Sequence, residues 1–264
     1  MIKLSVITIN RNNALGLKKT IESVVSQLFN NFEYIVVDGA STDESVDIIK
    51  SYSDKISYWV SEPDTGIYNA MNKGIKKANG EYLLFLNSGD ILADKTVLFK
   101  VFENKITKDI ATARCHVTKD GQVVWTSPLH KDITFGTLYY VGLNHQSTFI
   151  KKDLFARYGL YDESFRYNAD IEFWYRTIIE NNISTQSVDI ITTYYNLEGV
   201  SETCKTDPIF IKEHELILSN PSFQKFLPDY EEWKLKSCIV NEYGWINSYN
   251  VLRKIIRILH KFLK

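Results

Sequence analysis

Three cysteines in 264 residues, Cys115, Cys204 and Cys238, are odd in number and widely spaced. That excludes a disulfide framework and suits a reducing cytosol, and without a CxxC pair nothing suggests zinc. No stretch approaches the ~18 consecutive apolar residues of a spanning helix. The apolar run Leu4–Ile9 stops at Asn10-Arg11-Asn12-Asn13, too short for a signal-peptide core. A GxGxxG after the first strand-like run and a GxxxxGK(S/T) anywhere are both missing, which disfavours a dinucleotide dehydrogenase and a phosphate-loop NTPase. No internal repeat or low-complexity segment occurs. Acidic residues end at Glu242, while Arg253, Lys254, Arg257, Lys261 and Lys264 follow; without those five, 26 Lys and Arg face 32 Asp and Glu, so residues 1–242 carry −6. The basic character is confined to the tail, and the chain is expected to be cytoplasmic with no nucleic-acid partner.

What is present suffices for a large core, since 44% of residues are hydrophobic and 24% charged. The apolar positions alternate between two periods. Leu4–Thr8 reads as a strand, and Asn12-Asn13 can cap a helix with Leu17, Ile21, Val24, Val25 and Leu28 on one face. Tyr34–Val37 is a β-branched run expected of a strand buried on both faces, and Ser41 with Glu44 resembles a capping box opening the next helix. Ile56–Val60 and Tyr82–Leu86 read as strands, Ile67–Ala78 and Lys95–Phe102 as helices. This order implies an α/β fold with a Rossmann-like, mostly parallel sheet and helices on both faces.

From about residue 108 the pattern changes. Ile110–Val117 and Val123–Ser127 flank Asp120-Gly121, a hairpin signal. Asp153–Tyr158, stopped by Gly159, and Ile171–Ile179 read as helices, Val188–Tyr195 as a strand, and the chain from Asp207 as mostly helical. The expected organisation is therefore one domain over 1–206, with halves at about 1–107 and 108–206, and a helical region over 207–264.

Four polar clusters each follow a strand-like run: Thr8-Ile9-Asn10-Arg11-Asn12, Asp38 to Asp43, Glu62 to Gly66, and Asn87-Ser88-Gly89-Asp90. In an open parallel sheet, ligands bind beyond the carboxyl ends of the strands, so these clusters should converge on one site. Asp38 can accept an imide N–H of uracil or thymine. Asp90 can suffice as the one carboxylate for Mg2+ or Mn2+ when substrate phosphates supply other ligands. Each cluster is equally explained locally, as a strand end, a turn or a helix cap.

The order SVITINRN, SQLFNNFEYIVVDGASTDES, SEPDTGIYNAMNKGIKKANGEYLLFLNSGD, then HQSTFI and NADIEFWYR, closely resembles bacterial family 2 glycosyltransferases of the GT-A fold over roughly residues 1–200. The resemblance implies an inverting, metal-dependent transfer of a sugar from a nucleoside-diphosphate donor, expected to be a UDP-sugar. The acceptor implied is a hydroxyl of a glycan or lipid-linked surface polysaccharide. It assigns Thr8, Asn10, Arg11, Asn12 and Asp38 to the nucleoside, with Arg11 standing where the family usually has Tyr. Asp64, Gly66, Asn72 and Lys73 fall beside the sugar and diphosphate, Ser88 and Gly89 beside the donor, and Asp90 on the metal, Mn2+ or Mg2+. Asp170 is implied as the base that deprotonates the acceptor, with Glu172 as the fallback, and His145 and Gln146 border the acceptor. Glu198-Gly199-Val200-Ser201 resembles a loop that closes over bound nucleotide.

In the tail, Leu252, Ile255, Ile256, Leu259, Phe262 and Leu263 share a helical face opposite the basic residues. Residues 249–264 are thus an expected interfacial helix on anionic membrane lipid, or equally a terminal helix docked on the core. Two rival functions stay open. A sugar nucleotidyltransferase would open with a Gly-rich basic loop absent here, and a non-catalytic nucleotide-sugar or glycan-binding protein would suit the thinned acidity at Asn87 and Gly89.

Overall fold

The computed structural model describes residues 2–197, 206–224 and 226–232. The parallel part of the sheet is built by β1 (Leu4–Asn10), β2 (Phe32–Asp38), β3 (Tyr58–Ser61) and β4 (Tyr82–Phe85). They stand in the order β3-β2-β1-β4. β1 is buried at every position and β2 at all but its first, so neither strand alternates. Leu4, Val6, Tyr34 and Val36 share a core cluster with Leu17, Ile21 and Val24 of α1 (Ala14–Val25) and Ile49 of α2 (Ser45–Ser51). On the other face, Ile7 meets α3 (Ile67–Lys77) where Gly74 leaves room for it; a Cβ at Gly74 would collide with Ile7. Burying each of these aliphatic side chains contributes about 1.5–3 kcal/mol.

The sheet continues as a mixed half. β8 (Thr148–Lys151) runs antiparallel to both β4 and β6 (Ile110–Lys119), β9 (Thr185–Asn196) runs parallel to β6, and the short β5 (Ile91–Leu92) closes the edge. The hairpin from β6 to β7 (Gln122–Thr126) forms at its Asp-Gly turn, where Asp120 and Gly121 take φ of 50° and 74°. Helices α4 (Val97–Glu103), α5 (Phe135–Tyr140), α6 (Asp153–Tyr158) and α7 (Ala169–Trp174) follow the sequence-based order, except that α5, β5 and β8 were not foreseen. α7 continues through a wider π turn over Tyr175–Glu180. Gly159 does end α6, with φ of 90°.

The expected capping box at Ser41 and Glu44 is not formed. α2 begins at Ser45 without a side-chain cap bond, because the Ser41 hydroxyl is engaged by Asp38 at 2.6 Å. A first compact unit ends at Ile217, so α8 (Pro208–Leu218) falls almost wholly within it. The physical reason is a buried carboxylate, Glu213, bonded to the backbone of residues 166–168. In the second unit the described chain begins at Leu218 and includes α9 (Pro221–Gln224). The Glu198–Ser201 loop and the 249–264 segment lie outside the described residues. Among the described residues no helix is long and apolar enough to cross a membrane.

Candidate active site

The parallel register builds the site. Asn10 is the Cα partner of Asp38, and Asp38 of Ser61, so three polar residues stand in a row at the carboxyl ends of β1, β2 and β3. Asp38 is wholly buried, and four donors reach it. Oδ1 accepts from Asn10 Nδ2 at 2.8 Å and Ser41 Oγ at 2.6 Å, and Oδ2 from Ser41 N–H at 2.9 Å and Ser61 Oγ at 2.6 Å. Burial alone would raise this carboxyl's pKa, but the hydrogen bonds from Ser41, Ser61 and Asn10 outweigh it and hold it below the ordinary value. A carboxylate offers about four acceptor positions, so Asp38 is filled in this state. A base N–H can reach it only if a serine hydroxyl turns away. Asn10 Oδ1, by contrast, is buried without a partner.

The neighbouring loops converge on this row. Asn12 takes φ of 51°, donates its N–H to Ser41 Oγ at 2.7 Å and accepts from Thr42 N–H at 2.8 Å. Arg11 is exposed, with Nη1 4.0 Å from Asp64 Oδ1. Gly39 packs beneath this pair, where a Cβ would push the Asp64 carboxylate aside. Asp64 Oδ1 in turn accepts from Gly66 N–H at 3.1 Å at the start of α3. A side chain at Gly66 would meet nothing within 4 Å, which leaves the α3 amino terminus open to a ligand.

After β4 the turn Asn87–Asp90 is fastened to α1. Asn13 caps α1 by accepting from Gly16 N–H and donates to the Ser88 carbonyl at 3.0 Å, while Thr20 Oγ1 accepts from Gly89 N–H at 2.9 Å. Gly89 takes φ of 109°, a region that favours glycine. Asp90 is 3% exposed; Oδ2 accepts from Asn87 N–H at 3.0 Å and Oδ1 from Asn196 N–H at 3.4 Å. Burial pushes its pKa up to about 6, against the opposing effects of His145, these N–H groups and the Gln146 side chain. Asn87 Oδ1 is buried without a partner. An amide oxygen and a carboxylate are both hard-oxygen donors of the kind Mg2+ or Mn2+ takes when phosphates complete the shell. Among the described residues no group of three or more His, Cys, Asp and Glu could hold a metal.

His145 links this turn to Asp170. Its Nε2 lies 3.3 Å from Asn87 Nδ2 and its Nδ1 3.2 Å from Asp170 Oδ2. With Asn87 as donor, Nε2 is the acceptor and Nδ1 carries the proton shared with Asp170. The other oxygen, Oδ1, is 2.8 Å from the Tyr68 hydroxyl, which is also 2.6 Å from the Tyr167 carbonyl. Burial, and then the negative charge of Asp170, push the Tyr68 phenol well above its ordinary pKa, so it stays a donor. Asp170 is therefore oriented through both oxygens while its side chain remains 14% exposed.

Several residues expected at the ligand have other partners. Thr8 Oγ1 faces the Tyr34 hydroxyl at 3.0 Å inside the core. Asn72 is 1% exposed and bonds the Tyr161 carbonyl and N–H and the Glu163 carboxylate, tying α3 to that loop. Lys73 Nζ holds the Pro63 carbonyl and Glu62 Oε1, each at 2.8 Å. Glu172 is paired through both oxygens with Arg176 at 2.8 Å, and Arg176 also holds the carbonyls of Tyr158, Gly159 and Leu160. Gln146 is buried, and its side chain bonds Asp90. Sequence reasoning missed Ser61 and Tyr68 as members of the constellation. Ser61 was recoverable as the strand residue level with Asp38, whereas Tyr68 depends on a partner 102 positions away.

The Glycosyl transferase family 2 model matches residues 5–169. An uncharacterized glycosyltransferase of Mycobacterium tuberculosis is 34% identical over 181 residues, 67% of this chain and 69% of that protein. A PGL/p-HBAD biosynthesis glycosyltransferase of Mycobacterium bovis is 27% identical over 213 residues, 79% of this chain and 82% of that protein. Among solved structures, S. aureus TarS 1-349 in complex with UDP superposes with a TM-score of 0.62 at 22% identity, over 74% of this chain and 60% of that one. The mannosyltransferase PcManGT from Pyrobaculum calidifontis, in complex with GDP-Man and Mn2+, gives 0.58 at 13% identity over 96% and 82%. These scores show the expected GT-A fold. Matched by the family model over more than half its length, the chain belongs to glycosyl transferase family 2 and is a glycosyltransferase.

Proposed function

We propose that the chain moves a sugar from a nucleoside-diphosphate donor, a UDP-sugar, to a hydroxyl of a glycan or lipid-linked acceptor in surface polysaccharide synthesis. One observation carries this reading: Asp170 is held between Tyr68 and His145, and His145 joins it through Asn87 to the turn bearing Asp90. That linkage supports Asp170 as base and Asp90 as the carboxylate toward the diphosphate, acting in one connected site. In the step proposed, the acceptor oxygen bonds to the anomeric carbon, the bond from that carbon to the phosphate oxygen breaks, and the proton goes to Asp170. Attack opposite the leaving diphosphate inverts the configuration. Asp90 and Asn87 Oδ1 would hold Mn2+ or Mg2+, which supplies charge stabilisation to the departing diphosphate. Asn10, Arg11 and Asp38 would receive the nucleoside, and the open amino terminus of α3 at Gly66 the anionic diphosphate or sugar.

A thermal-shift panel of nucleotide sugars, with and without Mn2+, tests donor recognition, because a ligand specific for the native state raises apparent stability. UDP-sugars are expected to raise the melting temperature and other nucleotide sugars to raise it less. Asp38→Ala should abolish that shift with or without metal. It should also cost roughly 2–4 kcal/mol of stability by urea unfolding, because it strands buried donors worth about 1–3 kcal/mol apiece. An unchanged UDP response in that variant would remove Asp38 from nucleoside binding.

We also propose that residues 249–264 give peripheral attachment to an anionic membrane from the cytoplasmic side. Five positive charges without an acid support it, each worth roughly 1 kcal/mol near such a surface. Deleting the segment should abolish co-sedimentation with anionic vesicles at low salt and spare activity on a soluble acceptor. Absence of vesicle binding by the full chain would refute it.

A further inference from the structure

Helix α8 lies beyond the segment matched by the family model, and its buried acid has no part in the step described above. Glu213 is 9% exposed. Its Oε1 accepts from the N–H of Arg166 at 2.5 Å, and its Oε2 from those of Tyr167 and Asn168 at 3.0 Å and 3.1 Å. Three successive backbone amides thus form an anion-binding concavity that the chain fills with its own carboxylate. Two further bonds tie the same tripeptide to the start of α8. The Tyr167 hydroxyl donates to Asp207 Oδ2 at 2.8 Å, and Asn168 Nδ2 donates to the Phe210 carbonyl at 2.9 Å.

The clamped tripeptide ends two residues before Asp170. Asn168 stands at the N-cap of α7, where an asparagine ordinarily turns its side-chain oxygen onto an N–H of its own helix. Here it makes no such bond, and its amide is given to α8 instead. The Tyr167 carbonyl meets the same Tyr68 hydroxyl that lies 2.8 Å from Asp170 Oδ1. Glu213 therefore fixes both the backbone that carries Asp170 and the carbonyl that competes with it for the Tyr68 proton.

We propose that Glu213 is a positioning residue for transfer, holding the Arg166–Asn168 turn so that Asp170 faces the acceptor hydroxyl. This rests on Asp170 being the base. Charge-assisted bonds from N–H to carboxylate are about twice as strong as neutral ones, and Glu213→Gln weakens them while turning an amide NH2 toward backbone N–H donors. Displacement of a reacting group by about 1 Å can cost on the order of 100-fold in rate.

The test is a pair of comparisons on the full chain, Glu213→Gln in the wild-type and in the Asp170→Asn background, each scored for single-turnover transfer and for donor KM. The expected result is a fall in kcat of roughly 100-fold in the wild-type background, with donor KM unchanged, and no further fall when Asp170 is already Asn. Equal losses in both backgrounds, or a rise in donor KM that matches the loss in kcat, would show a merely structural role and overturn the proposal. Should Glu213→Gln fail to fold, Tyr167→Phe, which loses only the hydroxyl on Asp207, carries the same comparison with a smaller fall; equal losses there overturn it too. Transfer retained by Asp170→Asn overturns the base assignment and this proposal together. Transfer lost by Asp170→Asn but kept by Glu213→Gln overturns this proposal alone.

Discussion

Asp170→Asn is expected to lower sugar transfer by roughly 10²–10⁴-fold, the usual contribution of a positioned general base. Donor affinity should be unchanged, because the proposed role of Asp170 is on the acceptor's proton and not on the nucleotide. The fold should survive as well. The amide keeps the shape, its oxygen can still accept from Tyr68 at the position now 2.8 Å from that hydroxyl, and its NH2 can donate to His145 Nδ1 once the imidazole takes the other tautomer. Single-turnover measurement with saturating donor separates the chemical step from binding. Glu172→Gln is expected to behave differently, losing stability rather than chemistry, since Glu172 neutralises the guanidinium that gathers the carbonyls of residues 158–160. Loss of transfer in Glu172→Gln with retention in Asp170→Asn would place the base two residues along.

Asp90→Asn is the second large effect, an expected loss of about 10²–10³-fold in metal-dependent turnover, comparable with removing one electrostatic stabiliser from a closed site. The backbone N–H groups of Asn87 and Asn196 that now reach the carboxylate at 3.0 Å and 3.4 Å can still bond an amide oxygen, so the turn should keep its form. What goes is the negative charge. Titrating Mn2+ against UDP release in wild type and variant reads this directly; a variant with wild-type turnover and wild-type metal response would remove Asp90 from the reaction.

The parts of this molecule that were legible in the sequence are those where local pattern and tertiary demand agree. Tyr34–Val37 could only be a strand covered on both faces, and Asp120-Gly121 could only turn tightly, with both residues at positive φ. The four strand ends were found by the same reasoning, and parallel register then set Asn10, Asp38 and Ser61 side by side. Where prediction failed, another side chain or carbonyl had claimed a residue whose local role looked sufficient. Ser41 is a plausible N-cap until Asp38 takes its hydroxyl. Glu213 gave no signal at all, because the amides it satisfies lie 45–47 positions earlier in the chain.

The most direct test of the account is release of UDP from a UDP-sugar by the purified full-length chain, followed with Mn2+, with chelator, and with or without a hydroxyl acceptor. The account predicts slow Mn2+-dependent release without acceptor, acceleration when an acceptor is present, and abolition by chelator or by Asp90→Asn. Tight binding of the UDP-sugar with no UDP released under any of these conditions would contradict it, leaving the site a binding module for nucleotide sugars rather than a transferase.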